Sequence, residues 1–228
     1  PHRLRTRLRR GAFLLPSAFT IGNLFLGFYA VIVALGGHFE TAGVCILVAG
    51  IVDSLDGRIA RMTGSESEFG REFDSLADVV TFGVAPAVVA YLWGLIEMRR
   101  AGWLVPLFFL VATATRLARF HVQSARADSR WFVGLPCPAA AGAVASFLLV
   151  APDPGWRPWL IGLVACGLVG LGVLMVSTFR YWSFKSLDLA RPRSYRTALP
   201  IAAGILLLAF YPEAFLPVVA SLYALSGP

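Results

Sequence analysis

Residues 53–78 read DSLDGRIARMTGSESEFGREFDSLAD, with aspartates at positions 53, 56, 74 and 78. Asp53 and Asp56 are three residues apart, and Asp74 and Asp78 are four apart. On a helix, either spacing brings the two side chains to one face. Strongly apolar sequence flanks the stretch on both sides. The pattern therefore predicts two apolar helices whose acidic faces meet in an oxygen-rich cage. Carboxylate oxygens alone suit hard cations such as Mg²⁺, Mn²⁺ or Ca²⁺ rather than zinc.

The apolar flanks continue over most of the chain. Of 228 residues, 57% are hydrophobic and only 14% charged, where soluble domains are nearer half apolar and a quarter charged. The excess lies in runs of about 15 to 25 residues, long enough for helices that cross a bilayer. Backbone polar groups inside a bilayer must be satisfied internally, and strict alternation, the mark of a barrel, is absent. The predicted fold class is all-α: a polytopic integral membrane helix bundle with six to eight transmembrane helices, eight being favoured. Spans are expected at 19–36, 41–62, 71–95, 103–121, 135–151 and 159–178, with two short ones at 197–210 and 215–225.

The formal charge of +7 fits this topology better than a nucleic-acid partner. With the N-terminus in the cytoplasm and the spans alternating, 17 of the 20 Lys and Arg residues fall on the cytoplasmic side. Only Arg99, Arg100 and Arg157 fall outside, as the positive-inside rule requires. The same arrangement puts all four aspartates at cytoplasmic span ends. The expected location is a cell (plasma or inner) membrane, with N-terminus and site cytoplasmic. Cys45, Cys137 and Cys166 lie in apolar runs without metal-ligand spacing and read as small buried core residues.

Four acids in register repel one another unless a cation or proton intervenes. The plainer alternative is helices that end early, leaving solvated acids paired with Arg58, Arg61 and Arg71. Neighbouring residues favour a phosphate-bearing ligand. Gly57 and Ala60 leave room beside the helix, and Arg61 can grip phosphate through two hydrogen bonds. Gly64, Ser65 and Ser67 make a polar loop, and Gly70 opens the next helix where backbone N–H groups are free. Together these residues suggest a pyrophosphate, with two metal ions clamping the attacking and leaving oxygens of an in-line displacement. A cation transporter and a non-catalytic lipid-binding scaffold are the rivals from other classes. The acids near one membrane face and the adjacent arginines oppose the transporter.

Asp53, Asp56, Gly57, Ala60, Arg61, Gly70, Asp74 and Asp78 reproduce DxxDGxxAR(x8)GxxxDxxxD, and on them the chain resembles the CDP-alcohol phosphotransferase family. The resemblance implies a membrane enzyme that splits the pyrophosphate of a CDP-linked substrate, releases CMP and forms a phosphodiester. It implies that Asp53, Asp56 and Asp74 bind divalent metal, two ions of Mg²⁺ or Mn²⁺, and that Asp78 completes the cage and acts as general base. Asp56, Gly57, Arg61, Ser67 and Gly70 match positions that contact the CDP part.

Further segments, LPSAFTIGNLFLGFYA (15–30), EFDSLADVVTFGVAPA (72–87), TRLARF (115–120), FVGLPCPAAAG (132–142) and FRYWSFKSLDL (179–189), resemble the bacterial and archaeal phosphatidylserine synthase branch of that family. The implied reaction is CDP-diacylglycerol plus L-serine giving phosphatidylserine and CMP. Other acceptors, glycerol 3-phosphate or an inositol phosphate, stay open. A zwitterionic serine needs a cation for its carboxylate, and Arg116, Arg119 and Lys185 are the candidates. Thr20 and Asn23, polar residues in the first span, are candidate nucleotide contacts. The chain is read as one domain over 1–228. It comprises a basic arm (1–13), the family-like core (14–190) and a C-terminal helical hairpin (191–228). The resemblance also implies a homodimer, and small residues Gly162, Ala165, Cys166 and Gly170 offer a face for close helix packing within membrane lipids.

Overall fold

Apolar runs become helices here, and the first of them is ended by a glycine pair. The computed structural model describes residues 2–63, 68–123, 131–153, 155, 158–182, 222 and 226. Helix α1 (His2–Leu35) carries the basic arm straight into the first apolar run. It stops at Gly36–Gly37, where Gly37 has φ +79° and the next N–H groups return to the carbonyls of Val33 and Ala34. That reversal needs a residue tolerant of positive φ. Helix α2 (Phe39–Thr63) follows, with Glu40 in its first turn, a favourable place for an anion.

The expected single helix over 71–95 is divided. It comprises α3 (Glu68–Asp78), a π-helical segment (Val79–Val84) and α4 (Ala85–Trp93). A 3-10 turn (Leu95–Met98) leads into α5 (Arg100–Gln123). Then come α6 (Cys137–Val150) and α7 (Pro158–Val176). Among the described residues, four segments are long and apolar enough to cross a membrane: Ala18–Leu35, Glu68–Trp93, Arg100–Phe120 and Pro158–Val176. The shorter α6 is apolar too. The expected spans at 197–210 and 215–225 lie outside the described residues.

Two corrections apply. The all-helical expectation missed a small ladder, in which β1 (Trp131–Val133) pairs antiparallel with β2 (Arg180–Trp182) in the register Phe132↔Tyr181. It ties the chain before α6 to the chain after α7 and satisfies backbone groups that have left their helices. Three-residue strands carry too little pattern to be read in sequence. Cysteine burial also differs: Cys45 and Cys137 are buried as expected, but Cys166 is exposed on α7. An all-apolar helix offers no periodicity from which to choose its inward face.

Helix α1 packs on α2, α2 on α6, and α5 on α7, while the π segment and α4 lie against α1, α5 and α6. Ile46, Phe82, Trp93, Phe109 and Leu148 form the buried centre. Trp93 donates its indole N–H to the Ala151 carbonyl at 2.7 Å and packs edge-on against Phe147. Ile21, Phe25 and Ile32 on α1 and Leu163 and Val173 on α7 face outward. Such apolar outer faces suit lipid.

Gly27 lets α1 approach the π segment closely, since a Cβ there would lie 2.8 Å from Thr81 Cα. Gly27→Val should lower stability by about 1–3 kcal/mol through overpacking. Thermal unfolding in detergent reads this directly, and an unchanged midpoint would contradict the close approach.

Candidate functional site

The helices alternate in direction, so one end of the bundle gathers the end of α2, the start of α3, the end of α5, the start of α6 and the end of α7. The site lies at that end. Asp53 comes from α2, and Asp74 and Asp78 come from α3. One carboxylate oxygen from each of the three lies within 4.8 Å of the others. Oxygens around one ion at 2.0–2.6 Å are about 4–5 Å apart across it, so the triangle has the dimensions and donor chemistry of a divalent-cation cage. The Asp74–Asp78 pair shares a face because α3 is regular up to Asp78 and changes to π-helix only afterwards.

The other predicted residues are distributed as follows. Asp56 and Arg61 belong to the last turns of α2, and only their backbone is described. Asp56 stands one turn beyond Asp53 on that helix. Gly57 is half-buried in α2, and Gly70 lies in the first turn of α3. Ser67 and Lys185 lie outside the described residues. The buried Thr20 and Asn23 share one face of α1. Asn23 Nδ2 donates to Asp78 Oδ1 at 3.5 Å. Thr81, buried in the π segment, donates its hydroxyl to the Asn23 carbonyl at 3.2 Å and holds that stretch of α1 in place.

Arg116 and Arg119 have different surroundings. Arg116 is only 8% exposed, and its charge acts on Asp78. It donates through Nη1 to the Cys137 sulfur at 3.4 Å, while its Nε has no partner among the described residues. Arg119 donates to the carbonyls of Val176 and Ser177 at 2.8 and 3.3 Å. These carbonyls end α7, and a cation there is favourable to the helix dipole.

Sequence reasoning missed two residues at this site. Cys137 was read as core filling, yet it accepts from Arg116 and its sulfur lies 3.8 Å from the Thr113 carbonyl. Thr81 was passed over although it is the one hydroxyl in the run VVTFGV, and that polarity was the available signal.

A crevice of about 480 Å³ runs between α2 and α6. Its α2 wall includes Leu47, Gly50, Ile51, Ser54 and Leu55, facing Pro138 and Ala139. It therefore reaches the level of Asp53 and Asp56 with a mostly apolar lining.

Residues 13–171 match the family model described as CDP-alcohol phosphatidyltransferase. The chain is 42% identical over 177 residues to a CDP-diacylglycerol–serine O-phosphatidyltransferase of Helicobacter pylori, covering 76% of this chain and 73% of that one. It is 33% identical over 171 residues to the Bacillus subtilis protein of the same name, covering 75% of this chain and 91% of that one. It is 34% identical over 169 residues to an archaetidylserine synthase of Methanothermobacter thermautotrophicus, covering 73% and 69%.

Proposed function

Because this chain belongs to the CDP-alcohol phosphatidyltransferase family, we propose that it is a phosphatidylserine synthase. The reaction moves the phosphatidyl group from CDP-diacylglycerol to the hydroxyl of L-serine and releases CMP. The observation that carries this reading is the Asp53–Asp74–Asp78 triangle at the end of an apolar bundle. The relatives' names supply the acceptor.

Asp53, Asp56, Asp74 and Asp78 would hold two divalent cations, Mg²⁺ or Mn²⁺, which when bound would neutralise the pyrophosphate and stabilise charge on the departing CMP. Asp56, Gly57, Arg61, Ser67 and Gly70 hold the CDP part, with Thr20 on the nucleotide side. Asp78 takes the proton of the serine hydroxyl. The hydroxyl oxygen forms a bond to the phosphorus that bears diacylglycerol, and the bond from that phosphorus to the bridging oxygen breaks. CMP leaves with the electron pair.

Arg116 meets the serine carboxylate. Its sulfur partner is a weak acceptor that cancels none of its charge, and its Nε has a hydrogen bond still to give. Lys185 is a second candidate. Arg119 supports the carbonyl end of α7 and so the wall behind Arg116. The lipid enters sideways from the leaflet through the crevice between α2 and α6, while serine and CMP exchange with water at the bundle end. The protein has six to eight spans in one domain, as a homodimer in a cell membrane with the site cytoplasmic. On α7, added side chains at Gly162 and Gly170 would meet nothing within 4 Å among the described residues, which supports a second copy on this face.

Purified protein in detergent, given CDP-diacylglycerol and Mg²⁺ or Mn²⁺, should release CMP when L-serine is added. It should not do so with glycerol 3-phosphate, an inositol phosphate or no acceptor. Chelation should reduce the rate to background, and restored metal should return it. Release with a different acceptor would keep the aspartate chemistry and overturn serine. Full activity after exhaustive chelation would overturn the metal cage.

A further inference from the structure

Two buried polar atoms near Asp78 are without partners among the described residues: Asn23 Oδ1 and Arg116 Nε. Their chemistry is opposite. An amide oxygen accepts hydrogen bonds only, whereas a guanidinium nitrogen donates only. Asn23 is 1% exposed and Arg116 8%, so neither can turn to bulk water for relief. A buried polar group without a partner is costly, and two such groups beside one carboxylate point to a ligand that satisfies both.

We infer that Asn23 is a specificity residue of the acceptor site, its Oδ1 accepting a hydrogen bond from the α-ammonium group of the amino-acid acceptor. This rests on the serine reading given above. Serine carries an ammonium, a carboxylate and a hydroxyl on one short skeleton. The three groups meet Asn23, Arg116 and Asp78 respectively. Asn23 is suited to the ammonium because it is neutral. A carboxylate in its place would add another negative charge to the acidic triangle, whereas an amide oxygen accepts from the cation without repelling Asp78.

The orientation of the amide follows from its neighbours. Nδ2 faces the Asp78 carboxylate at 3.5 Å, and reversing the group would put oxygen against oxygen. Thr81 fixes the backbone of Asn23 from the π segment, so both sides of the contact are anchored. The sequence had assigned Asn23 to the nucleotide, and the contact with Asp78 favours the acceptor instead. Glycerol 3-phosphate and inositol phosphates carry no cation, so they would leave Oδ1 without a charged donor.

The test compares L-serine with 3-hydroxypropionate, which lacks the ammonium, in wild type and in Asn23→Leu. A hydrogen bond to a charged group is worth roughly ten- to a hundredfold. Asn23→Leu should lower kcat/KM for serine by that factor relative to its effect on 3-hydroxypropionate. Asn23→Ser, which keeps a smaller oxygen acceptor, should recover part of the ratio. Calorimetric binding of serine should weaken in parallel with kcat/KM.

Equal loss for both acceptors would mean that Asn23 only positions Asp78, and would overturn the inference. Failure of the serine reading looks different: wild type itself would show no serine-dependent CMP release, before any variant is made. If Asn23→Leu does not fold, judged by thermal unfolding in detergent, Asn23→Ser decides. An unchanged serine-to-hydroxypropionate ratio in Asn23→Ser, or a change shared equally by both acceptors, overturns the inference.

Discussion

Asp78→Asn should leave the bundle folded and lower CMP release by roughly 10²–10⁴-fold, the range that a positioned general base contributes. The substitution keeps the shape of the side chain and its contact with Asn23, but removes the charge and the basicity. Two roles can be separated by varying Mg²⁺. If Asp78 acted only as a ligand, raised metal would restore most of the rate. As the base, the variant stays slow at saturating metal, and the KM for CDP-diacylglycerol shifts little, because the lost interaction belongs to the transition state. Rates within about threefold of wild type at ordinary metal would remove Asp78 from the chemistry. Asp53→Asn, by contrast, should show the metal-dependent loss.

Arg116→Gln should lower kcat/KM for L-serine by roughly thirtyfold or more, since truncating one partner of a buried charge pair costs about 2 kcal/mol upward. The KM for CDP-diacylglycerol should stay within about twofold. Ethanolamine, which is serine without the carboxylate, provides the control: whatever low rate it supports should be indifferent to the substitution. Arg116→Lys should rescue only in part, because an ammonium lacks the planar fork that meets a carboxylate with two bonds. Equal loss with serine, ethanolamine and the lipid would show that Arg116 braces α5 against α6 through Cys137 and holds no substrate group.

The sequence reached the helices and the acids because both have strong local signatures. The expected spans 19–36, 41–62, 103–121, 135–151 and 159–178 each fall on one helix of the structure, with ends displaced by a few residues except at the start of α1, which runs back through the basic arm to His2. Asp74 and Asp78 share a face as their spacing required, and Asp53 meets them as the expected joining of the two acidic faces foresaw. Features that depend on a second element were hidden. VVTFGV has no composition that marks a π turn, and the close approach of Gly27 on α1 to Thr81 within it shows only once both elements are placed. Arg119 and Arg116 look alike in TRLARF, and only the neighbouring ends of α6 and α7 tell a helix brace from a buried free donor. Asn23 reads as a candidate nucleotide contact, and its place beside Asp78 shows only when α3 is set against α1.

The π segment also sets angular phase. In an unbroken α-helix each residue advances the direction of its side chain by about 100°, so the acidic face of Asp74 and Asp78 would dictate which way Val89 and Trp93 point. The wider turn at Val79–Val84 interrupts that dependence. Below it the chain is phased to bring Asp74 and Asp78 toward Asp53, and above it for packing, with Val89 and Trp93 turned fully into the core. One span thus serves as two independently oriented half-helices. Acids can be kept in register at one end while the apolar surface at the other is re-fitted to α6. An unbroken helix would have to trade one against the other.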